Sequence, residues 1–148
     1  MAKPSKENSP ITEHLAYLLA QANRQMSAQM ERALNEEGVQ TEHWRILEVL
    51  SDEQGRSMGD LAAAVLMNHP ALTKTLDRIV SRGLVHRRAD ATDSRRVLVY
   101  ISDRGLELVE RLRALVDGHH NAVTAAVGPR KAEQLKKLLG EFIRNTEE

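Results

Sequence analysis

Between Ser57 and Gly105 the sequence SMGDLAAAVLMNHPALTKTLDRIVSRGLVHRRADATDSRRVLVYISDRG strings helix, turn, helix and hairpin signals together without a gap, and no other stretch constrains the fold as tightly. Ser57 can cap a short helix, with Asp60 standing three residues on, where a capping box places its acid. Leu61, Ala62 and Val65 form the inner stripe of that helix. Asn68, His69 and Pro70 then break the pattern. Proline lacks an N–H and is tolerated best in the first turn of a helix, so a second helix begins here. Leu72, Leu76, Ile79 and Val80 recur at helical spacing on its inner face, and Pro70, Thr73, Lys74, Asp77, Arg78 and Ser81 occupy the opposite one. Gly83 supplies a left-handed stop. Two β-type runs, LVHRR and VLVYI, follow and are joined by a polar turn holding Asp90, Thr92, Asp93 and Ser94. Two short helices and a basic-tipped hairpin in this order predict a winged helix-turn-helix.

The charge distribution points the same way. The chain has 148 residues and no formal net charge. Yet from residue 74 to residue 96 the cations Lys74, Arg78, Arg82, Arg87, Arg88, Arg95 and Arg96 face only Asp77, Asp90 and Asp93. Residues 31–60 reverse the balance, with Glu31, Glu36, Glu37, Glu42, Glu48, Asp52, Glu53 and Asp60 against Arg32, Arg45 and Arg56. A neutral chain that gathers positive charge on one element carries the electrostatic footprint of a duplex reader. Its four aromatic residues, Tyr17, Trp44, Tyr100 and Phe142, are too few for the stacking platforms of single-strand binders, so double-stranded DNA is the expected partner.

Outside this stretch the chain reads as helices. From Pro10 to Glu36 the stripe Ile11, Leu15, Leu18, Leu19, Ala22, Met26, Met30 and Leu34 predicts one long helix, with Ser9 as its cap and Pro10 in its first position. Gly38 ends it. Thr41 is expected to cap the next helix, in which Trp44, Leu47 and Leu50 turn inward with Ile46 and Val49 at their flanks, and Gly55 breaks the chain again. Ser102 caps a second long helix with the stripe Leu106, Val109, Leu112, Val116, Val123 and Val127, closed by Gly128 and Pro129. The last helix, from Arg130 to about Asn145, repeats Leu135, Leu138, Leu139, Phe142 and Ile143. The expected fold is mainly α with a small β-hairpin wing. It forms one domain over residues 1–148, with the winged helix-turn-helix at 41–101 and long dimerisation helices at 10–36 and 102–147. Those outer helices carry more apolar stripe than one small winged helix can cover, which predicts a homodimer.

Several function classes drop out. Cysteine is absent, which removes disulfides, thiolate zinc sites and thiol-based redox sensing. The polar start MAKPSKENS lacks the apolar run of a signal peptide, and no stretch approaches the roughly 18 apolar residues of a membrane span, so a cytoplasmic protein with no membrane partner is expected. The histidines are His14, His43, His69, His86, His119 and His120. The neighbours His119 and His120 point roughly 100° apart on a helix, poor geometry for one metal, and HExxH spacing is absent. No nucleophile elbow, phosphate-binding glycine loop or paired-carboxylate pattern is present, so neither an enzyme nor a cofactor is expected.

The run LTKTLDRIVSRGLVHR, the wing run DATDSRRVLVYIS and Ser102-x-x-Gly105, which stands where Thr-x-x-Gly is usual, resemble the MarR family of bacterial transcription regulators. The resemblance spans nearly the whole chain, including one long helix before the core and two after it. It implies a repressor that binds a pseudo-palindromic operator as a homodimer and responds to a small ligand. By that resemblance the second helix of the core enters the major groove, where Arg78 reaches a guanine edge or a phosphate, Thr73 a base edge or phosphate, and Lys74 a phosphate. Ser57, His69 and Pro70 join these as candidate contacts. At the wing, the Asp-x-Arg tip implies that Arg95 enters the minor groove while Asp93 orients the loop, with Arg96 beside it. An aromatic, anionic effector between the long helices and the winged region would place His14, Tyr17 and Trp44 along its pocket. Two other readings fit the scaffold: a winged helix used for protein–protein contact, against which the basic wing speaks, and a metal-responsive regulator.

Overall fold

The computed structural model describes residues 10–147. A short 3₁₀ turn, Ile11–Glu13, leads into α1 (Leu15–Glu36), followed by α2 (Thr41–Leu50), β1 (Arg56–Ser57), α3 (Met58–Val65), α4 (His69–Ser81), β2 (Val85–Ala89), β3 (Val97–Ile101), α5 (Asp103–Val127) and α6 (Pro129–Thr146). The sheet is antiparallel in the order β1-β3-β2. Val85 pairs with Ile101 and Ala89 with Val97 along the hairpin, while Arg56 pairs with Val99 and Ser57 with Leu98. The expected two-stranded wing is thus three-stranded. Two residues between α2 and α3 complete it, too short a strand for any periodicity to reveal.

The caps and the stop of the core act as read, except that the Asp60 carboxylate lies against Arg96 instead of closing a capping box on Ser57. The Ser57 hydroxyl accepts the Asp60 N–H at 3.2 Å at the start of α3, and Asn68 Oδ1 accepts the Ala71 N–H at 2.9 Å at the start of α4. Gly83, at φ +73°, turns the chain out of α4 and into β2. Leu66 takes the corresponding left-handed conformation after α3, at φ 58° and ψ 41°, and is 86% exposed. Between the wing and α5, Ser102 acts as a three-way fastening. Its hydroxyl donates to the Gly83 carbonyl at 2.7 Å and accepts the Gly105 N–H at 3.0 Å, and its own N–H donates to the Leu84 carbonyl.

Leu61, Ala62 and Val65 of α3, Leu72, Leu76 and Ile79 of α4, and Val85, Val99 and Ile101 of the sheet close over Ile46, Leu47 and Leu50 of α2, forming one core with Leu34 and the first third of α5. Burying an aliphatic side chain of this size stabilises by about 1.5–3 kcal/mol, so this cluster is the main support of the winged region. Ile46 is fully buried rather than flanking, and Leu108 is buried where the stripe favoured the half-buried Leu106. Both shifts arise because α2 and α5 are contacted on more than one side.

The long helices depart further from expectation. The first does not run from Pro10: His14 is extended at φ −69° and ψ 139°, and α1 starts at Leu15. No residue of the preceding turn is buried, so no core packing supports a helix through it. The proposed cap Ser9 lies outside the described residues. Thr41 does not cap α2 either. It is the first helical residue, the extended N-cap position belongs to Gln40, and Thr41 Oγ1 is buried without a hydrogen-bond partner. Along α1 only Leu34 is buried, and along α6 only Ala132. Ile11, Leu15, Leu18, Met26, Leu135, Leu138, Phe142 and Ile143 all stand exposed.

Candidate functional site

The polar face of α4 is free of the core: Pro70, Thr73, Lys74, Asp77, Arg78 and Ser81 are all exposed, as is His69 at the first helical position. The wing is fastened to that face. Arg87, on the inner face of β2, donates to Asp77 of α4 at 2.6 Å, and Arg96 at the hairpin lies 3.6 Å from Asp60 in the first turn of α3. Two ion pairs therefore hold the hairpin against both helices of the helix-turn-helix. Each is exposed and contributes about 0–1 kcal/mol, so their effect is on orientation more than on stability.

The hairpin tip is ordered by its own acids. Asp90 accepts the backbone N–H and the hydroxyl of Thr92, both at 2.9 Å, and these bonds hold its carboxyl below the usual range. Asp93 accepts the Arg95 N–H at 3.1 Å, and its carbonyl accepts the Arg96 N–H. Asp93 thus shapes the turn through the backbone and leaves the Arg95 guanidinium without an acid partner among the described residues. Ser57 is engaged as the α3 cap, and its side chain sits on the sheet beside Leu98.

A cleft of about 500 Å³ opens between α1, α2 and α5, lined by Met26, Met30, Thr41, Trp44, Arg45, Val116, His119, His120 and Val123 with Asn23, Ser27 and Asp117. Trp44 is both core and wall, at 7% exposure. Neither His14 nor Tyr17 lines this cleft; both lie at the start of α1, turns away from Asn23. The sequence alone does not reveal that Arg45, His119 and His120 share this cleft with Trp44. Arg45 beside Trp44 near the uncapped start of α2 was the legible signal, since a helix N-terminus and a guanidinium both favour an anion. Among the described residues no group of three His, Asp or Glu side chains gathers as a metal site requires, and no helix is long and apolar enough to cross a membrane.

His43 of α2 is not part of the cleft lining and lies within the electrostatic reach of Arg82 and Arg78. It is 4% exposed, and neither ring nitrogen has a partner. Burial first, then the Arg82 guanidinium and more weakly Arg78, lower its pKa, with Glu42 opposing.

A model described as the MarR family matches residues 37–96 of the chain. Over 126 residues the chain is 31% identical to the HTH-type transcriptional regulator FarR of Neisseria gonorrhoeae, spanning 85% of this chain and 86% of that one. Among solved structures, the MarR family transcriptional regulator SPO1453 from Silicibacter pomeroyi DSS-3 is similar at 29% identity and a TM-score of 0.82, covering 95% of this chain and all of that one. NadR in complex with 4-hydroxyphenylacetate is similar at 30% identity and a TM-score of 0.75, covering 96% and 97%.

Proposed function

The chain belongs to the MarR family of transcriptional regulators, DNA-binding proteins without enzymatic activity, and on that footing we propose that it is a ligand-responsive repressor that binds a pseudo-palindromic operator as a homodimer. The observation that carries this reading is the fastening of the wing to the polar face of α4 through Arg87 and Asp77, which joins the exposed helix face and the basic hairpin into one continuous surface. In this reading α4 lies in the major groove. His69, Pro70 and Thr73 meet base edges near its N-terminal end, Lys74 and Arg78 meet phosphates or guanine, and Ser57 abuts the backbone. Arg95 enters the adjacent minor groove, with Asp93 shaping its turn and Arg96 beside it.

The exposed apolar residues of α1 and α6 support the homodimer, since large apolar side chains left exposed along a helix face mark an interaction surface. Two copies present two α4 helices, which must stand about one turn of DNA, roughly 34 Å, apart. The effector is a small aromatic acid held in the cleft by Trp44, with Arg45 and the start of α2 facing its carboxylate. NadR, whose partner is 4-hydroxyphenylacetate, supports that class. His14 and Tyr17 belong to this site only if a second copy brings them to it. Such a ligand acts by binding the two spacings of the α4 helices unequally, and a coupling of about 1–3 kcal/mol changes operator affinity about 5- to 150-fold.

The test is to sequence the fragments that the purified protein retains from its own genome and to titrate the best of them with benzoates and hydroxycinnamates while following Trp44 fluorescence. Enrichment of an inverted repeat with half-sites about 10 base pairs apart, released by an acid that also shifts the fluorescence, is expected. Retention of no sequence above background would refute the DNA reading. Release without any Trp44 signal would move the effector out of the cleft.

A further inference from the structure

The outer face of the sheet carries a built arrangement that the assigned contacts leave unused. Side chains alternate along β2, so Arg87 turns inward to Asp77 while His86 and Arg88 point to the far side. Tyr100 of β3, directly opposite His86, shares that far face. Its ring stacks on His86 with centroids 5.7 Å apart and an interplanar angle of 12°, and the Arg88 guanidinium carbon lies 5.7 Å from the same ring centroid. The ring has room only because residue 55 is glycine. A Cβ there would stand 2.5 Å from Tyr100 Cζ and 2.7 Å from its hydroxyl oxygen.

The four arginines of the hairpin are therefore not equivalent. Arg87 is committed to Asp77 and Arg96 leans on Asp60, whereas Arg88 and Arg95 have no acid partner among the described residues. Arg95 belongs to the tip. Arg88 stands one register position inside the end of the hairpin, opposite Leu98, and rests on an aromatic ring rather than waving free. A guanidinium already ordered on a ring loses less rotamer freedom when it docks, and a planar fork of N–H donors suits phosphate oxygens.

Resting on the proposal that the wing tip enters a minor groove, we propose that Arg88 is a further DNA contact, to a phosphate on the groove wall remote from α4, and that Tyr100, set by Gly55 and His86, is its positioning residue. A minor groove about 6 Å wide is bounded by phosphates on both sides. The inner face of the hairpin is tied back to α4, so the far face meets the other wall. There Arg88 extends the footprint by one phosphate per protomer without reading sequence.

The experiment measures operator affinity from about 50 to about 200 mM salt for the full-length wild type, Arg88→Gln, Tyr100→Phe, Tyr100→Leu, Gly55→Ala and the double variant Arg88→Gln/Tyr100→Leu. Removing one phosphate contact lowers the slope of log affinity against log salt by about 0.9, so the salt-induced loss shrinks about threefold for each copy of Arg88. Arg88→Gln should show that change, and equally on operator and on unrelated duplex. Tyr100→Phe keeps the ring and should match the wild type. Tyr100→Leu and Gly55→Ala, which keep the charge but lose or displace the ring, should weaken binding, and the double variant should be no weaker than Arg88→Gln alone. Arg88 is exposed, so its substitution leaves the fold intact, and thermal unfolding of each variant checks this. A wild type that binds duplex with a steep salt slope that Arg88→Gln leaves unchanged overturns this inference alone. A wild type that binds no duplex overturns the DNA reading with it. Additive losses in the double variant overturn the role of Tyr100.

Discussion

His43 is the residue whose environment is hardest to reconcile with packing alone. A buried imidazole with neither nitrogen bonded costs about 1–3 kcal/mol relative to a satisfied or apolar group, yet it sits where α2 meets the helix proposed to enter the groove. Its pKa in the folded chain lies below the usual 6.5, because burial and the guanidinium groups of Arg82 and Arg78 disfavour the imidazolium. The native state therefore binds fewer protons than the unfolded chain. The stability from keeping His43 neutral is complete above pH 6.5 and is lost as pH falls below it towards the folded pKa. His43→Leu should remove that part of the acid sensitivity in thermal melts between pH 7.5 and 5.5 at fixed protein concentration, and be at least as stable as the wild type at pH 7.5. Equal acid slopes in both proteins would show that His43 does not titrate there. Arg95 makes the complementary case at the surface. Its guanidinium supports nothing in the fold, so Arg95→Ala should leave the melt unchanged while lowering the operator salt slope by about 0.9 per protomer. An additional loss on A·T-rich flanks would mark it as a reader of groove width. An unchanged slope would remove Arg95 from the interface.

At the scale of elements, the junction of α4, the sheet and α5 is where the winged region is fastened to the long helix that follows it. Ser102 closes it through the Gly83 carbonyl, the Gly105 N–H and the Leu84 carbonyl, so the end of one helix, the sheet and the start of another converge on one residue. Gly105 is small for a steric reason. A Cβ there would collide with the Leu84 carbonyl oxygen and stand 2.7 Å from Ile101 Cγ1. Gly105→Ala should cost about 1–3 kcal/mol through overpacking, and Ser102→Ala about 1 kcal/mol through the lost cap, both read by denaturant unfolding. Ser102→Thr keeps the hydroxyl and should restore the loss. An alanine at 105 that unfolds at the wild-type midpoint would mean that α5 can slide away from Leu84 without penalty.

For the whole molecule, the distribution of exposed apolar surface decides what the chain does next. The winged region is closed around its own core, while Leu135 (48% exposed), Leu138 (61%), Phe142 (41%) and Ile143 (56%) line one side of α6, and Leu15 and Leu18 stand exposed on α1. In the proposed homodimer a second copy covers this surface, because a self-complementary stripe closes with two-fold symmetry. Replacing both Leu138 and Phe142 with glutamate should yield monomer in sedimentation velocity at micromolar concentration, with operator affinity reduced because the two half-sites are no longer linked. The core of residues 34–112 does not include those side chains, so the helical spectrum of the winged region should persist. A stable wild-type monomer under the same conditions would dismiss the interface.

What could be read from the sequence was whatever depends on neighbours a few positions apart. The caps at Ser57 and Ser102, the left-handed stop at Gly83, the 3.6-residue stripe of α4 and the alternation of VLVYI each express a local preference, and together they specify the winged helix-turn-helix and its basic face. Failures occurred where a long-range contact overrode or was needed to support such a preference. The turn Ile11–Glu13 has no buried residue and α1 starts only at Leu15, and Thr41 falls inside α2 instead of ahead of it. Likewise, no pattern in the sequence tells which arginines are taken by acids and which remain free. The pairing of Arg87 with Asp77, the ring of Tyr100 over Gly55 and the gathering of Trp44 with Arg45, His119 and His120 around one cleft all join segments distant in the chain. Only the packing of those segments against one another could decide them, because their energy depends on distances that exist once the core has closed.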